Sequence, residues 1–168
     1  MRTLLACLIL AAAAVPAHAQ RSPYAVNGVG LGNTEAEVKK RYPGAHCKPL
    51  EWKTDAAQRR CDDAKVAVGS INSRVTYYLK AGSVVGFDVR IDTKDLELFV
   101  RNLKAEFGPP TSEARDVIVR KGKDDLEVYK VLWEAGRDRA LLSALKDKKR
   151  VQLEVSRGNF ADEVYRVR

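Results

Sequence analysis

The residues with the clearest chemistry are two cysteines, Cys47 and Cys61, which stand fourteen positions apart. Two thiols in an oxidising compartment usually pair, and two is the simplest even number. The segment between them, 48–60, is mostly polar and has no apolar pattern that would order it. Closing a loop of this size stabilises a fold by about 3 kcal/mol, because it restricts the unfolded chain. We therefore predict a disulfide between Cys47 and Cys61.

The same region is a weaker candidate for a metal site. A structural zinc site takes four ligands, usually in short Cys-x-x-Cys or His-x-x-x-His pairs. The donors on offer are His46, Cys47, Cys61, Asp62 and Asp63, and neither spacing occurs among them. We expect no metal site here.

A glycine-rich segment, Gly28-Val29-Gly30-Leu31-Gly32, raises the question of a nucleotide-binding loop. The dinucleotide fingerprint needs a third glycine three positions after the second, where Asn33 stands, and a P-loop needs Gly-Lys-Ser or Gly-Lys-Thr. Neither pattern is present. The glycines are expected to shape the backbone before a helix, and no cofactor is predicted.

Groups for catalysis are sparse in this sequence. His46 is the only histidine after residue 19, and no Gly-x-Ser-x-Gly motif occurs. A serine or cysteine nucleophile normally needs a nearby base, most often histidine. The acid pairs Asp62-Asp63 and Asp124-Asp125 fall in predicted turns, where carboxylates are usually solvated. We predict no catalytic residues and a non-enzymatic protein; a hydrolase, whose carboxylates only a fold can bring together, is the least favoured alternative.

Aromatic residues are the best candidates for binding a partner, because tyrosine and tryptophan combine a large contact area with a polar group. Tyr77 and Tyr78 are adjacent in a predicted strand, so they point to opposite faces of the sheet. We expect Tyr77 and Trp133 in the core. Trp52, in the loop between the cysteines, and Tyr78, on an exposed strand face, are the predicted contacts with another protein.

The first nineteen residues have the layout of a cleaved signal peptide. Arg2 is positively charged, residues 4–15 are apolar, and Ala17-His18-Ala19 offers a cleavage site before Gln20. No later segment is apolar enough to span a membrane. The signal predicts a periplasmic or secreted protein, whose partner would be another protein of the cell envelope.

The formal net charge of the whole chain is +8. Positive and negative residues are mixed along the sequence, and export argues against nucleic acid as a partner. The alternative function is therefore a module that binds a small ligand or an anionic polymer. That alternative predicts a concave apolar pocket or a coherent basic face containing Lys39, Lys40, Lys148 and Arg150.

Two helices and several strands are predicted to carry these residues. Thr34 and Glu37 form a capping box at the start of the first helix, which Pro43-Gly44 ends. The second helix can be capped by Asp92 or Thr93, has apolar residues three and four positions apart from Leu96 to Phe107, and precedes Gly108. Alternating patterns predict strands over 65–71, 74–80, 85–91, 117–120, 127–134, 140–145 and 151–155.

These patterns are typical of a single α+β domain over residues 28–168, after a flexible lead-in at 20–27. The domain has two short helices packed on one face of a mainly antiparallel sheet of about six or seven strands.

The segment Gly30-Leu31-Gly32-Asn33-Thr34-Glu35-Ala36-Glu37-Val38 resembles the Gly-x-x-x-Thr-x-x-x-Val opening of small α+β domains of the bacterial envelope. Those domains include the SmpA/OmlA outer-membrane assembly lipoproteins and the β-lactamase-inhibitor-protein-like fold. The cysteine pair, the tyrosine-rich strand and a late strand with Trp133 are similar to those of uncharacterised proteobacterial periplasmic proteins. The resemblance implies that a sheet or helix face binds another protein without catalysis. It carries over no individual functional residue, and the lipid-attachment cysteine of the lipoproteins is missing.

Overall fold

The computed structural model describes residues 22–122, 124–145, 150–158 and 160, so the predicted signal peptide lies outside the described residues. The elements are β1 (Ala25–Val26), β2 (Val29–Gly30), α1 (Glu35–Arg41), β3 (His46–Pro49), β4 (Arg59–Val68), β5 (Ile71–Lys80), β6 (Ser83–Asp92), α2 (Leu96–Phe107), β7 (Ser112–Ile118), β8 (Leu126–Ala135), β9 (Asp138–Leu145) and β10 (Arg150–Arg157). A short 3₁₀ turn, Thr93–Asp95, leads into α2.

The predicted α+β class is confirmed, but the described residues form eight strands in the main sheet and two in a separate hairpin, more than the six or seven expected. The order in the main sheet is β3-β4-β5-β6-β10-β9-β8-β7, and all neighbours are antiparallel. Each half of the chain contributes a helix followed by four consecutive strands. The halves join where β6 pairs with β10, and β3 and β7 are left as the two edges.

One face of this sheet carries the core. Alternate residues of the central strands point toward the helices, and the cross-strand row Tyr77, Phe87 and Val155 is fully buried. Val38 of α1 and Phe99 of α2 are both 0% exposed against this face. Tyr77 and Trp133 are 0% and 1% exposed, so their predicted place in the core is confirmed.

The helix boundaries follow from local chemistry, as predicted. The Thr34 hydroxyl accepts a hydrogen bond from the Glu37 amide, and the Glu37 carboxylate accepts one from the Thr34 amide. The Asp92 carboxylate accepts a hydrogen bond from the Lys94 amide at the start of the 3₁₀ turn. Gly108 ends α2 with a φ of +83°, a conformation that glycine adopts without steric cost.

The predicted flexible lead-in over residues 20–27 is wrong for residues 22–27. Ala25–Val26 pairs with Val29–Gly30, and Val26 is 0% exposed. Asn27-Gly28 forms the turn with positive φ angles, which is the strongest short-range signal for a hairpin. The ring of Tyr24 lies 5.1 Å from that of Phe107, so the hairpin is packed onto the end of α2.

The predicted strand over residues 65–71 is right for residues 65–68, which end β4, and wrong beyond them. It runs across a turn, where Gly69 has a φ of +60°, to the start of β5 at Ile71. β4 begins earlier, at Arg59. Its many polar residues obscure the apolar–polar alternation from which a strand is predicted. The charged segment from Lys146 to Arg150 predicts a turn before the last strand, and residues 146–149 lie outside the described residues.

Candidate functional site

Strand β7 is the more accessible edge of the sheet. All seven of its residues are exposed, and the exposed large apolar side chains among the described residues cluster at its end. They are Val117 at 61%, Ile118 at 47% and Val119 at 80% exposure. An edge strand also presents a row of backbone N–H and C=O groups that no neighbouring strand satisfies. β7 therefore combines an open hydrogen-bonding edge with unburied apolar side chains.

The opposite edge, β3, is protected by its own sequence. It is four residues long and ends at Pro49, which has no backbone N–H to offer an added strand. Cys47 lies directly opposite Cys61 in β4, and their sulfurs form the predicted disulfide. A short edge strand with proline and a covalent tie is a poor template for pairing.

An apolar groove lies beside β7 on the helix side of the sheet. Its volume is about 360 Å³, and its lining includes Leu96 of α2, Val117, Tyr129 and Ala144. The groove exists because α2 packs over the middle strands through Phe99 and does not cover the outer ends of β7 and β8. Apolar grooves with a few polar groups at the rim are typical binding sites.

Polar residues of β7 form the rim of this groove. The guanidinium of Arg115 lies 4.7 Å from the centre of the Tyr129 ring. The Tyr129 hydroxyl donates a hydrogen bond to the Glu113 carboxylate, whose other oxygen lies 2.6 Å from the ammonium of Lys104. These contacts hold the Tyr129 ring in one orientation at the side of the groove.

The electrostatics of the rim follow from these contacts. Burial and the Glu113 carboxylate together raise the pKa of Tyr129 to about 12, with burial the larger cause. Hydrogen bonds from Lys104 and then from Tyr129 lower the pKa of Glu113. At neutral pH the phenol is therefore a neutral donor and Glu113 a charged acceptor.

The predicted exposure of Tyr78 is wrong. Tyr78 does point to the sheet face opposite the helices, but it is 1% exposed because Ala56, Ala57 and Phe160 cover it. Its hydroxyl lies 3.4 Å from the carboxylate of Asp88, which is itself 1% exposed. A residue enclosed in this way cannot touch a partner while its covering stays in place.

Trp52 lies in the same cluster but remains partly exposed. The guanidinium of Arg60 stands 5.7 Å from the centre of its ring, which is within the range of a cation–π contact. The ring is therefore held against β4 and keeps one accessible side. Contact between Trp52 and a partner stays a prediction.

The two cysteine sulfurs and the Glu35 carboxylate lie within 4.8 Å of one another, close enough to suggest a metal site. The sulfurs, however, are bonded to each other, so neither is a thiolate. The Glu35 carboxylate contacts Lys39 at 2.7 Å and Arg59 at 2.9 Å, and these contacts lower its pKa. The cluster is fully explained as a disulfide beside an ion-pair network.

The apolar end of β7 lies in a strand predicted from the sequence over 117–120, but its exposure was not predicted. The predicted strand also began at Val117, five residues after the actual start of β7 at Ser112. The signal was nevertheless present, because three consecutive residues of a strand cannot all point to one face. At least one member of Val117-Ile118-Val119 must therefore leave the core.

The fold and this edge together define the class of protein. It is an α+β protein in which each half has one helix and four strands, and the antiparallel sheet has one edge strand, β7, that is open to pairing with another strand. Comparisons of the chain with models of protein families, with curated proteins and with solved structures found no match. The resemblance to envelope α+β domains stays a prediction. No helix among the described residues has the length and apolar character needed to cross a membrane.

Proposed function

We propose that this chain is an exported, non-enzymatic binding protein, and that an extended segment of an envelope protein adds to its sheet along β7. The observation that carries the proposal is the exposure of Val117, Ile118 and Val119 on an open edge. Such an edge readily pairs with another strand, and soluble proteins usually protect it with charge, proline or a covering element. β7 carries charge at Glu113, Arg115 and Asp116, but the apolar segment from Val117 to Val119 carries none.

The exposed valines supply the apolar part of the binding energy. Val117 points to the helix face, where it lines the groove, Ile118 points to the other face, and Val119 follows the end of β7. Burying a valine or isoleucine side chain fully contributes about 1.5–3 kcal/mol. Three such side chains, with backbone hydrogen bonds along β7, give an added strand both apolar contacts and paired peptide groups.

The groove supplies selectivity. In β-strand addition, main-chain hydrogen bonds provide affinity, and pockets for alternate side chains provide specificity. The lining of Leu96, Tyr129 and Ala144 fits an apolar side chain, and Arg115 at the rim fits an acidic one. The preferred partner segment is therefore extended, with an apolar residue flanked by an acidic residue on the same face.

The disulfide supports an extracytoplasmic location. Structural disulfides form and persist in oxidising compartments and are rare in the reducing cytosol. The bond between Cys47 and Cys61 joins two neighbouring strands and lies against the core, with Cys61 at 0% exposure. The amino-terminal signal predicted from the sequence provides the route to that compartment.

The test is site-specific photocrosslinking in cells that express the full chain. A photoreactive residue at position 118 should give a covalent product with a different protein, and the same residue at Arg101 on the exposed side of α2 should not. The product should disappear in Val117→Lys/Val119→Lys, because two ammonium groups cannot be buried without partners. The matched control, Ala36→Lys/Ala105→Lys, adds the same charge to exposed helix positions and should keep the product.

The stability of each variant is measured by urea unfolding, and exposed substitutions should change the free energy of unfolding by less than about 0.5 kcal/mol. Equal crosslinking from positions 118 and 101 would contradict the proposal. A product that contains only a second copy of this chain, or one that survives Val117→Lys/Val119→Lys, would contradict it as well.

A further inference from the structure

A second concavity lies away from β7 along the main sheet, near the ends of β4, β5, β6 and β10. It has a volume of about 760 Å³, and residues 64–67 form one of its walls. Residues 64 and 65 of that wall have no partner in β5, because the register of β4 against β5 shifts between Asp63 and Val66. The concavity thus lies at an irregularity of the backbone.

Its charged lining is strongly basic. Among the described residues, Lys65, Arg74, Arg90 and Arg150 contribute four cations to the lining, and Asp92 contributes one acid. Asp92 lies opposite Arg150 in the β6–β10 pair, but its carboxylate also caps the 3₁₀ turn by accepting a hydrogen bond from the Lys94 amide. The acid therefore offsets only part of the positive charge.

Two of these arginines are direct cross-strand neighbours. Arg74 of β5 pairs with Arg90 of β6, and such partners in antiparallel strands have Cα atoms about 4.5–5.5 Å apart. Like charges in these positions destabilise a sheet. Arg90 is held by Asp88, with Nε 3.3 Å from Oδ1, and that carboxylate is 1% exposed. Arg90 therefore has an opposite charge at ion-pair distance.

The other three cations have no carboxylate partner within 4 Å in the part of the chain that the structure describes: Lys65, Arg74 and Arg150. Arg74 and Arg150 are exposed, so their guanidinium groups can turn toward a ligand in the concavity. Asn72, on the same side of the sheet, adds an amide that can donate a hydrogen bond.

We infer that this concavity binds a phosphate group. A tetrahedral oxyanion accepts bidentate hydrogen bonds from arginine, and these charge-assisted bonds are about twice as strong as neutral ones. It would also reduce the repulsion between Arg74 and Arg90, because Asp88 pairs with Arg90 whereas Arg74 has no carboxylate partner among the described residues. This phosphate site is separate from β7 and does not depend on binding at that edge.

The test measures binding of inorganic phosphate and of phosphatidylglycerol vesicles to the full chain at constant ionic strength. Calorimetry should show saturable phosphate binding with a Kd on the order of 1 mM or below, as expected of a few charge-assisted hydrogen bonds. Arg74→Gln/Arg150→Gln should weaken binding by about tenfold or more. Arg101→Gln/Arg139→Gln removes the same charge from exposed positions outside the concavity and should weaken it less than twofold.

Tighter binding to phosphate than to the vesicles would identify a free anion as the ligand, and the reverse would identify a lipid headgroup. Val117→Lys/Val119→Lys should leave the affinities for phosphate and for the vesicles unchanged. Failure of the phosphate inference can therefore be distinguished from failure of the proposal for β7. Absence of saturable binding to either probe would overturn the inference. Equal weakening by the two double arginine variants would overturn it as well, because the attraction would then come from net charge alone.

Discussion

Gly86 and Phe160 are in close contact, so Gly86→Ala should have opposite effects on stability in the presence and in the absence of the Phe160 ring. Gly86 lies in β6 on the face away from the helices, and the ring of Phe160 packs directly on it. A Cβ built on Gly86 would lie 2.2 Å from Cε1 of Phe160, well inside the carbon–carbon contact distance of about 3.5 Å. The φ of Gly86 is not positive, so alanine can adopt its backbone, and the three closest atoms all belong to the ring.

The magnitude follows from burial. Phe160 is 7% exposed, and full burial of a phenylalanine side chain contributes about 1.5–3 kcal/mol. Gly86→Ala displaces the ring and should lower the free energy of unfolding by up to that amount. In the Phe160→Ala background the clash is absent, and alanine in place of a strand glycine should instead stabilise by about 0.5–1 kcal/mol.

The assay is urea unfolding of the parent, the two single variants and the double variant. The double-mutant cycle should give a coupling energy of about 2–4 kcal/mol, with a change of sign for Gly86→Ala between backgrounds. A second readout is Tyr78, which the Phe160 ring covers at 5.4 Å and whose fluorescence should become more accessible to a quencher when the ring is displaced. A coupling energy below about 0.5 kcal/mol would refute the packing of Phe160 on Gly86.

Three further predictions concern single features of the fold. Replacing Cys47 and Cys61 by alanine should lower the free energy of unfolding by about 3 kcal/mol in denaturant titration, and a loss below 1 kcal/mol would contradict the loop-closure estimate. Trp133→Phe removes a 3.0 Å hydrogen bond to the last turn of α2 and part of a fully buried ring, so it should cost about 1–3 kcal/mol. Tyr129 ionises at a pKa of about 12, so its contribution to stability is complete below pH 10 and is lost as the pH rises from about 10 to about 12. In Glu113→Gln its pKa should fall part of the way toward 10.0, because burial remains; an unchanged ultraviolet titration would contradict this assignment.

The elements with local signals were predictable from the sequence. The capping box at Thr34, the stripe of α2 and the glycine that ends α2 each depend on residues within one or two turns. The alternation in β5 and β6 is equally local, since a strand with one buried face repeats every two residues. The Asn27-Gly28 hairpin was also readable, but its strands are two residues long and too short to show alternation.

The candidate binding edge was not predictable in the same way. Nothing near Val117 in the sequence says that β7 lies at the end of the sheet, because strand order depends on pairing between residues far apart in the chain. The prediction that Tyr78 is exposed was wrong for the same reason. Alternation correctly placed it on the face away from the helices, but Phe160, more than eighty positions later, covers it there.

The basic concavity, like the binding edge, was not predictable from the sequence. Arg74 and Arg90 are ordinary charged residues when the chain is read in order, and only the β5–β6 register makes them neighbours. Of the basic residues that the sequence grouped into one face, Arg150 lines the concavity, Lys39 and Lys40 lie on α1 and do not, and Lys148 lies outside the described residues.

The sequence by itself determined the α+β class, the two helices, the disulfide and the burial of Tyr77 and Trp133. Each of these depends on spacing along the chain or on the chemistry of two thiols. Tertiary structure alone decided the order of the strands, the edge that remains open and the arginines that converge. Those properties arise from long-range pairing, whose free energy depends on the whole sheet and leaves no periodic trace in a short window of sequence.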